Sequence, residues 1–199
     1  LHASYRRQRQ MCIRDSSETG QRTLGTIDIE LFRDHAPVHV ENMVLHASQG
    51  NYDNTIFHRI IEDFMNQGGD IDNQNGAGGY AAKWFGYCNG ESRSSSSACE
   101  QSQWTIPDEA DNGLKHGPGK IAMAKTQAEN TGGSQFYIVP TGSTPSHLDG
   151  VHTVFGEVTG GMPHVDAINK VETGNNDNDS STSGDKPIDD VVLMSVSVN

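Results

Sequence analysis

Positive charge is scarce in this sequence. Its 199 residues include 14 Lys and Arg against 26 Asp and Glu, for a formal net charge of −12. Because phosphate contacts need clustered Lys and Arg, this balance argues against a nucleic-acid partner and favours an acidic, soluble surface. No apolar run approaches the roughly 18 residues of a membrane-spanning helix, so no membrane partner is expected. A signal-peptide pattern is also missing, which slightly favours the cytoplasm while leaving the compartment unknown.

Cysteine is equally scarce, since the three cysteines are too few for a disulfide framework. Cys88 and Cys99 lie in one serine-rich segment, residues 83–103. A bond between them would close a ring of about 12 residues. We favour this bond slightly over two free thiols, the usual state in the cytosol, and the bond would indicate an extracytoplasmic setting.

The usual motifs of metal, cofactor and nucleotide chemistry are missing as well. His35 and His39 have zinc-like spacing on a helix start, but the sequence places no third ligand beside them. The glycines at 117–120 lack the Ser or Thr of a phosphate-binding loop. Those at 76–79 lack dinucleotide spacing and indicate a turn that lets a peptide approach closely. We therefore expect no metal and no cofactor.

The hydrophobic pattern indicates one domain of mainly β structure. Period-two alternation predicts strands at 24–31 and 188–198, and β-branched or aromatic runs predict others at 55–61, 120–124, 136–139 and 151–158. Helical spacing and proline at the first turn predict helices that begin near Pro37 and Pro163. Many short strands with two helices are typical of an all-β barrel or sandwich.

The first 18 residues differ from the rest of the chain. Three arginines lie in residues 5–10, within a stretch that has neither strand nor helix pattern. A basic arm for an acidic partner is one interpretation. A disordered or non-native leader is the favoured one, with the folded domain over 19–199.

Three blocks carry the functional signal: FHRIIEDFMNQGGD at 57–70, GSQFYIV at 133–139 and HLDGVHTVFG at 147–156. In this order and spacing they resemble the cyclophilins, the peptidyl-prolyl cis-trans isomerases. The resemblance covers 19–199 and implies a closed eight-stranded antiparallel β-barrel capped by two α-helices. Insertions at about 83–103 and 172–186 depart from a compact member. The segment MAKTQA at 123–128 resembles the bacterial and archaeal branch.

The resemblance implies an enzyme that accelerates rotation about X-Pro bonds without a covalent intermediate. Arg59 would be the catalytic donor, because its guanidinium is always charged and presents a rigid fork of N–H groups. The proline ring would enter an apolar pocket formed by Phe64, Met65, Tyr137 and Leu148. Tyr137 stands where many members carry Phe, so its hydroxyl needs a partner or water.

Other matched positions would surround the substrate. Gln67 and Gln135 would hydrogen-bond its backbone and steady Arg59, and Ala124 is the small residue beside it. Lys125 replaces an Asn found in many relatives. His152 would orient or pack, because isomerisation moves no proton. His147 occupies the position of the Trp of cyclosporin-sensitive members.

The implied partners are proline-containing peptides and unfolded or folding proteins, bound by a monomer. Cyclosporin binding is expected to be weak, because His147 lacks the indole N–H and the large flat face of Trp. Two alternatives stay open: a proline-peptide binding module without significant turnover, and a scaffold that works through the insertion at 83–103. Retention of Arg59 beside Phe64, Met65 and Gln67 favours the enzyme, since binding alone does not require the arginine.

Overall fold

The computed structural model of the protein describes residues 8–17, 20–174 and 184–198. Within them the chain is mainly β, with two α-helices, α1 (Pro37–Ser48) and α2 (Met162–Asn169). The strands, in chain order, are β1 (Gln8–Ser17), β2 (Gly20–Leu31), β3 (Thr55–Ile56), β4 (Arg59–Ile61), β5 (Met65–Gly68), β6 (Tyr87–Cys88), β7 (Glu91–Ser92), β8 (Trp104–Thr105), β9 (Lys120–Met123), β10 (Phe136–Ile138), β11 (Val154–Gly160) and β12 (Val191–Val198). Neither helix of the described part is long and apolar enough to cross a membrane.

Nine of the strands form one antiparallel sheet in the order β3-β12-β1-β2-β11-β9-β10-β5-β4. The sheet is curled: its two edge strands, β3 and β4, are separated in the chain only by Phe57 and His58. The inner face buries an apolar core that includes Ile27, Ile29 and Phe155, none of which is exposed. The core therefore lies inside the curl, and the site residues lie along β4, β5 and β10.

The resemblance implied eight strands, whereas the sheet has nine. The difference arises because the strand predicted at 55–61 is interrupted and forms both β3 and β4. Phe57 N–H donates to the Val191 carbonyl at 2.9 Å, so β3 stays with β12. After His58, β4 pairs instead with β5, Arg59 lying opposite Gln67. The pattern missed β5 because Met65 and Asn66 are both buried and so break the alternation. Asn66 is buried at no loss of hydrogen bonding, since its amide donates to the Val165 carbonyl of α2 at 2.9 Å.

The sequence analysis expected a disordered or non-native leader over residues 1–18, and the structure gives Gln8–Ser17 as a strand. This segment is β1, and it pairs with β2 on one side and β12 on the other. Met11 is fully buried in the core. The buried position of Met11 alone gives no alternation from which a strand could be predicted. Residues 1–7 and 18–19 lie outside the described residues.

Both helices pack on the sheet, α1 against β12 and α2 against β2. Val165 and Ile168 of α2 are fully buried. At the start of α1, the Glu109 carboxylate accepts hydrogen bonds from the backbone N–H groups of Val38 and His39, at 3.0–3.1 Å. It also lies 2.7 Å from His39 Nδ1. Burial raises the pKa of Glu109, but the His39 ring and these N–H groups outweigh it, so the pKa is lowered overall.

The insertion at 83–103 carries a separate sheet in the order β7-β6-β8. Cys88 and Cys99 are joined by a disulfide, with Cα atoms 6.1 Å apart. The Trp104 indole N–H donates to the Cys99 carbonyl at 3.1 Å, and the Trp104 ring meets that of Trp84 edge to face. The insertion is therefore ordered by a covalent link and one aromatic pair, because it has few other apolar side chains.

Candidate active site

Arg59 projects from β4 beside β5, and its side chain is 39% exposed. Two groups hold the guanidinium. Nη1 donates to Gln67 Oε1 at 3.4 Å, and Nε donates to Asp185 Oδ2 at 3.2 Å. These two bonds engage two of the five N–H groups of the guanidinium fork.

A chain of side-chain amides fixes which atom faces Arg59. Gln135 Nε2 donates to the carbonyls of Gly76 and Gly78, at 3.0 and 2.7 Å. Its Oε1 therefore accepts from Gln67 Nε2 at 2.9 Å, which leaves Gln67 Oε1 to accept from Arg59. In each amide the NH₂ group donates and the oxygen accepts. If the amide of Gln67 or Gln135 were flipped, the donor and acceptor would change places and a hydrogen bond would be lost.

The turn that supplies these carbonyls is held by one buried carboxylate. Asp70 is unexposed and accepts from the backbone N–H groups of Asp72, Asn73, Asn75, Gly76 and Gly78. Burial raises the pKa of Asp70, and the N–H groups more than offset this, so the pKa is lowered overall. The turn at 70–78 is thus rigid on the side that meets Gln135.

Beside Arg59 lies an apolar cluster that is distinct from the main core. Met65 and Tyr137 are buried in it, and Phe64, Ala124 and Leu148 pack against them while partly exposed. All five residues were predicted for the site from sequence. Phe136, the neighbour of Tyr137, faces the main core instead, as alternation along a strand requires.

The Tyr137 hydroxyl has a partner that the sequence analysis did not find. It lies 2.7 Å from His116 Nε2, and His116 Nδ1 lies 2.8 Å from Asp149 Oδ1. The rings of Tyr137 and His116 are stacked, 10° from parallel. Burial raises the pKa of Tyr137 far above its usual value, so the hydroxyl stays protonated.

Two further histidines border the cluster. His147 is exposed and stacks on Phe64, with ring centroids 5.8 Å apart. His152 donates from Nδ1 to the Met123 carbonyl at 2.9 Å and meets the Tyr137 ring edge to face. Burial lowers the pKa of His152, so its ring is neutral at neutral pH.

The Lys125 ammonium group is engaged by neighbouring protein groups. The side chain is 2% exposed, and Nζ lies 3.4 Å from Asp108 Oδ2 and donates to the Ala128 carbonyl at 3.1 Å. A cavity of about 440 Å³ adjoins the site on this side. Gln67, Gln135 and Ala124 line one wall of it, and Asn89 and Ser102 of the insertion line another.

Three residues of this arrangement had no usable signal in the sequence. Asp185 lies in the polar loop before the last strand, 126 positions from Arg59. His116 and Asp149 are polar residues in loops, and only the fold brings them to Tyr137. Asp149 does lie inside the third block, which was the one hint available. Within the described ranges, no group of three or more potential metal ligands occurs.

Comparison with known proteins gives consistent matches. Residues 16–198 match the family described as cyclophilin type peptidyl-prolyl cis-trans isomerase/CLD. Peptidyl-prolyl cis-trans isomerase cypE of Dictyostelium discoideum is 37% identical over 93% of this chain and 99% of its own length. Peptidyl-prolyl cis-trans isomerase-like 1 of Gibberella zeae is also 37% identical, over 88% of this chain and 90% of its own. A crystal structure of a Cryptosporidium parvum cyclophilin type isomerase superposes with a TM-score of 0.67 at 26% identity, covering 96% of this chain and 98% of that one.

Proposed function

The chain belongs to the cyclophilin-type peptidyl-prolyl cis-trans isomerases, and we propose that Arg59 is the residue with which it stabilises the twisted X-Pro bond. The enzyme rotates X-Pro bonds of proline-containing peptides, the substrates of its family. The observation that carries the proposal is the one-way amide chain from the turn at 70–78 through Gln135 and Gln67 to Arg59. It holds a charged donor beside an apolar pocket.

The chemistry explains why one charged donor suffices. Amide resonance sets a barrier of about 18–20 kcal/mol to rotation. In the twisted state the C–N bond is single, and the prolyl nitrogen has a free lone pair. A donor aimed at that nitrogen gains a bond that the planar ground states cannot make, which lowers the barrier by differential binding. An acceleration on the order of 10⁵ corresponds to about 7 kcal/mol, which the donor and the pocket share.

The proline ring occupies the apolar cluster of Phe64, Met65, Tyr137 and Leu148. Support comes from their packing: two buried side chains form the floor and two partly exposed ones form the sides. Ala124 leaves room for the chain to pass, because its side chain is a single methyl. His147 widens the apolar surface by stacking on Phe64, and His152 fixes the edge of the Tyr137 ring.

The peptide backbone runs past Gln67 and Gln135 along the adjoining cavity. Both amides stay half-buried, which leaves them in reach of a bound peptide. Lys125 contributes through its main chain, since its ammonium group is engaged by Asp108 and Ala128. The insertion borders the same cavity and thereby shapes which side chains near the proline fit.

The curled sheet closes into a barrel through the bent segment 55–61. Its first half, β3, pairs with β12 at one edge, and its second half, β4, pairs with β5 at the other. Counted as one bent strand, β3 and β4 give the eight strands of a closed barrel. Closure matters for function because it fixes Arg59 against β5.

Several finer features stay predictions: unfolded or folding proteins as clients, a monomeric enzyme, and weak binding of cyclosporin. Placement in the bacterial and archaeal branch is also a prediction from residues 123–128; the relatives named above come from eukaryotes.

The test is an exchange measurement on a short X-Pro peptide by NMR, with Arg59→Ala against the parent at equal folded fraction. We expect a loss of about one to three orders of magnitude in kcat/KM, with the fold intact. Arg59→Lys is the matched control, since it keeps the charge but loses the fork. Equal turnover in parent and Arg59→Ala would remove Arg59 from the mechanism. Peptide binding without turnover in the parent would indicate the binding module instead.

A further inference from the structure

The proline pocket contains one polar atom that an apolar ring does not need, the hydroxyl of Tyr137. The ring is 4% exposed, and its closest apolar neighbours are the side chains that hold the proline. A buried hydroxyl without a partner is destabilising and would place a polar group against the substrate. How this hydroxyl is satisfied therefore decides how apolar the pocket is.

Its partner, His116, is held in one protonation pattern by Asp149. The Asp149 Oδ1 atom accepts from the His116 backbone N–H at 2.8 Å and lies 2.8 Å from the ring Nδ1. An ionised carboxylate only accepts, so Nδ1 carries the proton. In the neutral ring Nε2 is then an acceptor, and the Tyr137 O–H donates to it across 2.7 Å. From Asp149 through His116 to Tyr137, each atom is therefore either a donor or an acceptor, as its neighbour in the series requires.

We propose that Asp149 and His116 are positioning residues of the isomerase, which bind the Tyr137 hydroxyl and so keep the proline pocket apolar, and that a proton gained by His116 weakens proline binding. The proposal rests on the proposed function, in which Tyr137 lines that pocket. When Nε2 gains a proton it becomes a donor, and the Tyr137 hydroxyl must accept from it. The hydroxyl hydrogen then has no partner among the residues of the apolar cluster.

Charged and titratable groups surround His116 on all sides. They are Asp149, Lys115, His147, His152 and Tyr137. Burial lowers the pKa of His116, while the hydrogen bond and the charge of Asp149 raise it and His147 and Lys115 lower it further. The pKa is lowered overall, so the ring is neutral at pH 7 and gains its proton below the ordinary range of a histidine. Asp149 is the only one of these groups whose charge favours the protonated ring.

The first test reads the proton directly. Nitrogen-15 NMR of the full chain at pH 7 reports which ring nitrogen of His116 is protonated, whether or not the protein turns over. We expect Nδ1 to carry the proton and Nε2 to have none. A proton on Nε2 overturns the proposal. Because this readout does not use activity, it can fail while the proposed function stands, and the converse also holds.

The second test separates positioning from structure by its pH dependence. NMR exchange on an X-Pro peptide between about pH 4 and pH 8 should show an acid limb in kcat/KM, chiefly through a rising KM, with the midpoint of the His116 titration. Asp149→Asn keeps an oxygen acceptor but removes the negative charge. The acid limb of kcat/KM and the titration midpoint of His116 should therefore both move to lower pH, by about one unit.

Tyr137→Phe keeps the ring and removes the hydroxyl. It should abolish the limb that tracks His116 while His116 still titrates, and it serves as the second variant if Asp149→Asn does not fold. His35→Gln, at an exposed position, is the control and should leave the limb in place. An acid limb that stays unmoved in Asp149→Asn, or that persists unchanged in Tyr137→Phe, overturns the proposal.

Discussion

The Nε atom of Arg59 donates to Oδ2 of Asp185 at 3.2 Å, across 126 positions of sequence. Asp185 also accepts the Ile60 N–H through its main-chain carbonyl, at 2.7 Å. The loop that precedes the last strand is therefore attached to β4 by one backbone bond and one ion pair. It does more than connect elements, because it sets the rotation of the guanidinium about its side chain.

Asp185→Ala should lower kcat/KM by about two- to fivefold, because a partly exposed ion pair is worth up to about 1 kcal/mol. The backbone bond to Ile60 remains, so stability should change little. Asp185→Asn should retain more activity than the alanine variant, since it keeps an acceptor for Nε. Asp189→Ala, in the same loop, is the control. Faster turnover in Asp185→Ala would mean that the carboxylate competes with the substrate for Arg59.

Stability should depend on pH through His46 in α1. Its Nε2 donates to the Tyr80 carbonyl at 2.9 Å and its Nδ1 accepts from the Asn51 amide at 3.0 Å, so the buried ring is neutral. Burial lowers its pKa to about 4, and the Tyr80 carbonyl offsets this in part. The unfolded chain takes up this proton near its ordinary pKa of about 6.5.

Since the folded pKa lies below the unfolded one, this stabilisation is complete above about pH 6.5 and is lost as the pH falls towards 4, by about 3 kcal/mol. Chemical denaturation of the parent and of His46→Gln across this range measures it. The free energy of unfolding of His46→Gln should fall by about 3 kcal/mol less than that of the parent across this pH range, whatever the stability of the variant at pH 7. His35→Gln is the exposed control. Parallel curves for parent and His46→Gln would contradict the prediction.

The disulfide between Cys88 and Cys99 should stabilise the insertion more than the barrel. It closes a loop across a sequence separation of 11, which is worth roughly 3 kcal/mol in the chain-entropy picture. Cys88→Ser with Cys99→Ser should speed hydrogen exchange in β6, β7 and β8 and leave β9 and β10 protected. Ser94→Ala in the same loop is the control. Alkylation and intact mass of the freshly isolated protein should add one group before reduction and three after it; three before reduction would mean that the bond is not formed.

Strand β1 should be part of the folding unit, contrary to what its sequence suggests. Met11 is fully buried, so Met11→Asp should destabilise the protein by more than about 3 kcal/mol. Thr26→Asp, at an exposed position on the adjacent strand β2, is the control and should cost far less. Amides of Gln8–Ser17 should be protected from exchange. Equal stability of the Met11→Asp and Thr26→Asp variants would support the leader interpretation.

Structural features could be predicted from the sequence where the contacts that form them leave a periodic pattern of apolar residues along the chain. Alternation over 24–31 predicted a strand, and helical spacing predicted a helix beginning near Pro163. In the structure, Ile27 and Ile29 of β2 are buried, as are Val165 and Ile168 of α2. These patterns are visible because each face is set by neighbours in the chain. Strand β1 has one buried apolar side chain among its described positions and owes its conformation to two partner strands. The hydrophobic pattern of the sequence could therefore predict neither that β1 exists nor the register in which it pairs.

The same distinction applies to the site. Arg59 and the pocket side chains could be proposed because the three blocks resemble a known family. Asp185 and His116 were missed because their polar side chains gain a role only through contacts that the chain makes on folding. The departure at Tyr137 did predict that its hydroxyl must find a partner or water. It could not say which residue.

Cyclosporin sensitivity should depend on His147. Its imidazole is exposed and stacks on Phe64 at the edge of the proline pocket, with ring planes 26° apart. The resemblance to the cyclophilins implies that sensitive members carry Trp there, and an indole offers a larger flat face and an N–H donor. His147→Trp should therefore tighten binding by about tenfold or more, corresponding to at least about 1.4 kcal/mol. Calorimetric titration of the parent, His147→Trp and a His35→Trp control measures the change. Because the exposed His35 is remote in sequence from the three blocks, His147→Trp should gain affinity and His35→Trp should not. A parent that binds as tightly as His147→Trp would show that the stacked histidine already supplies what the indole does.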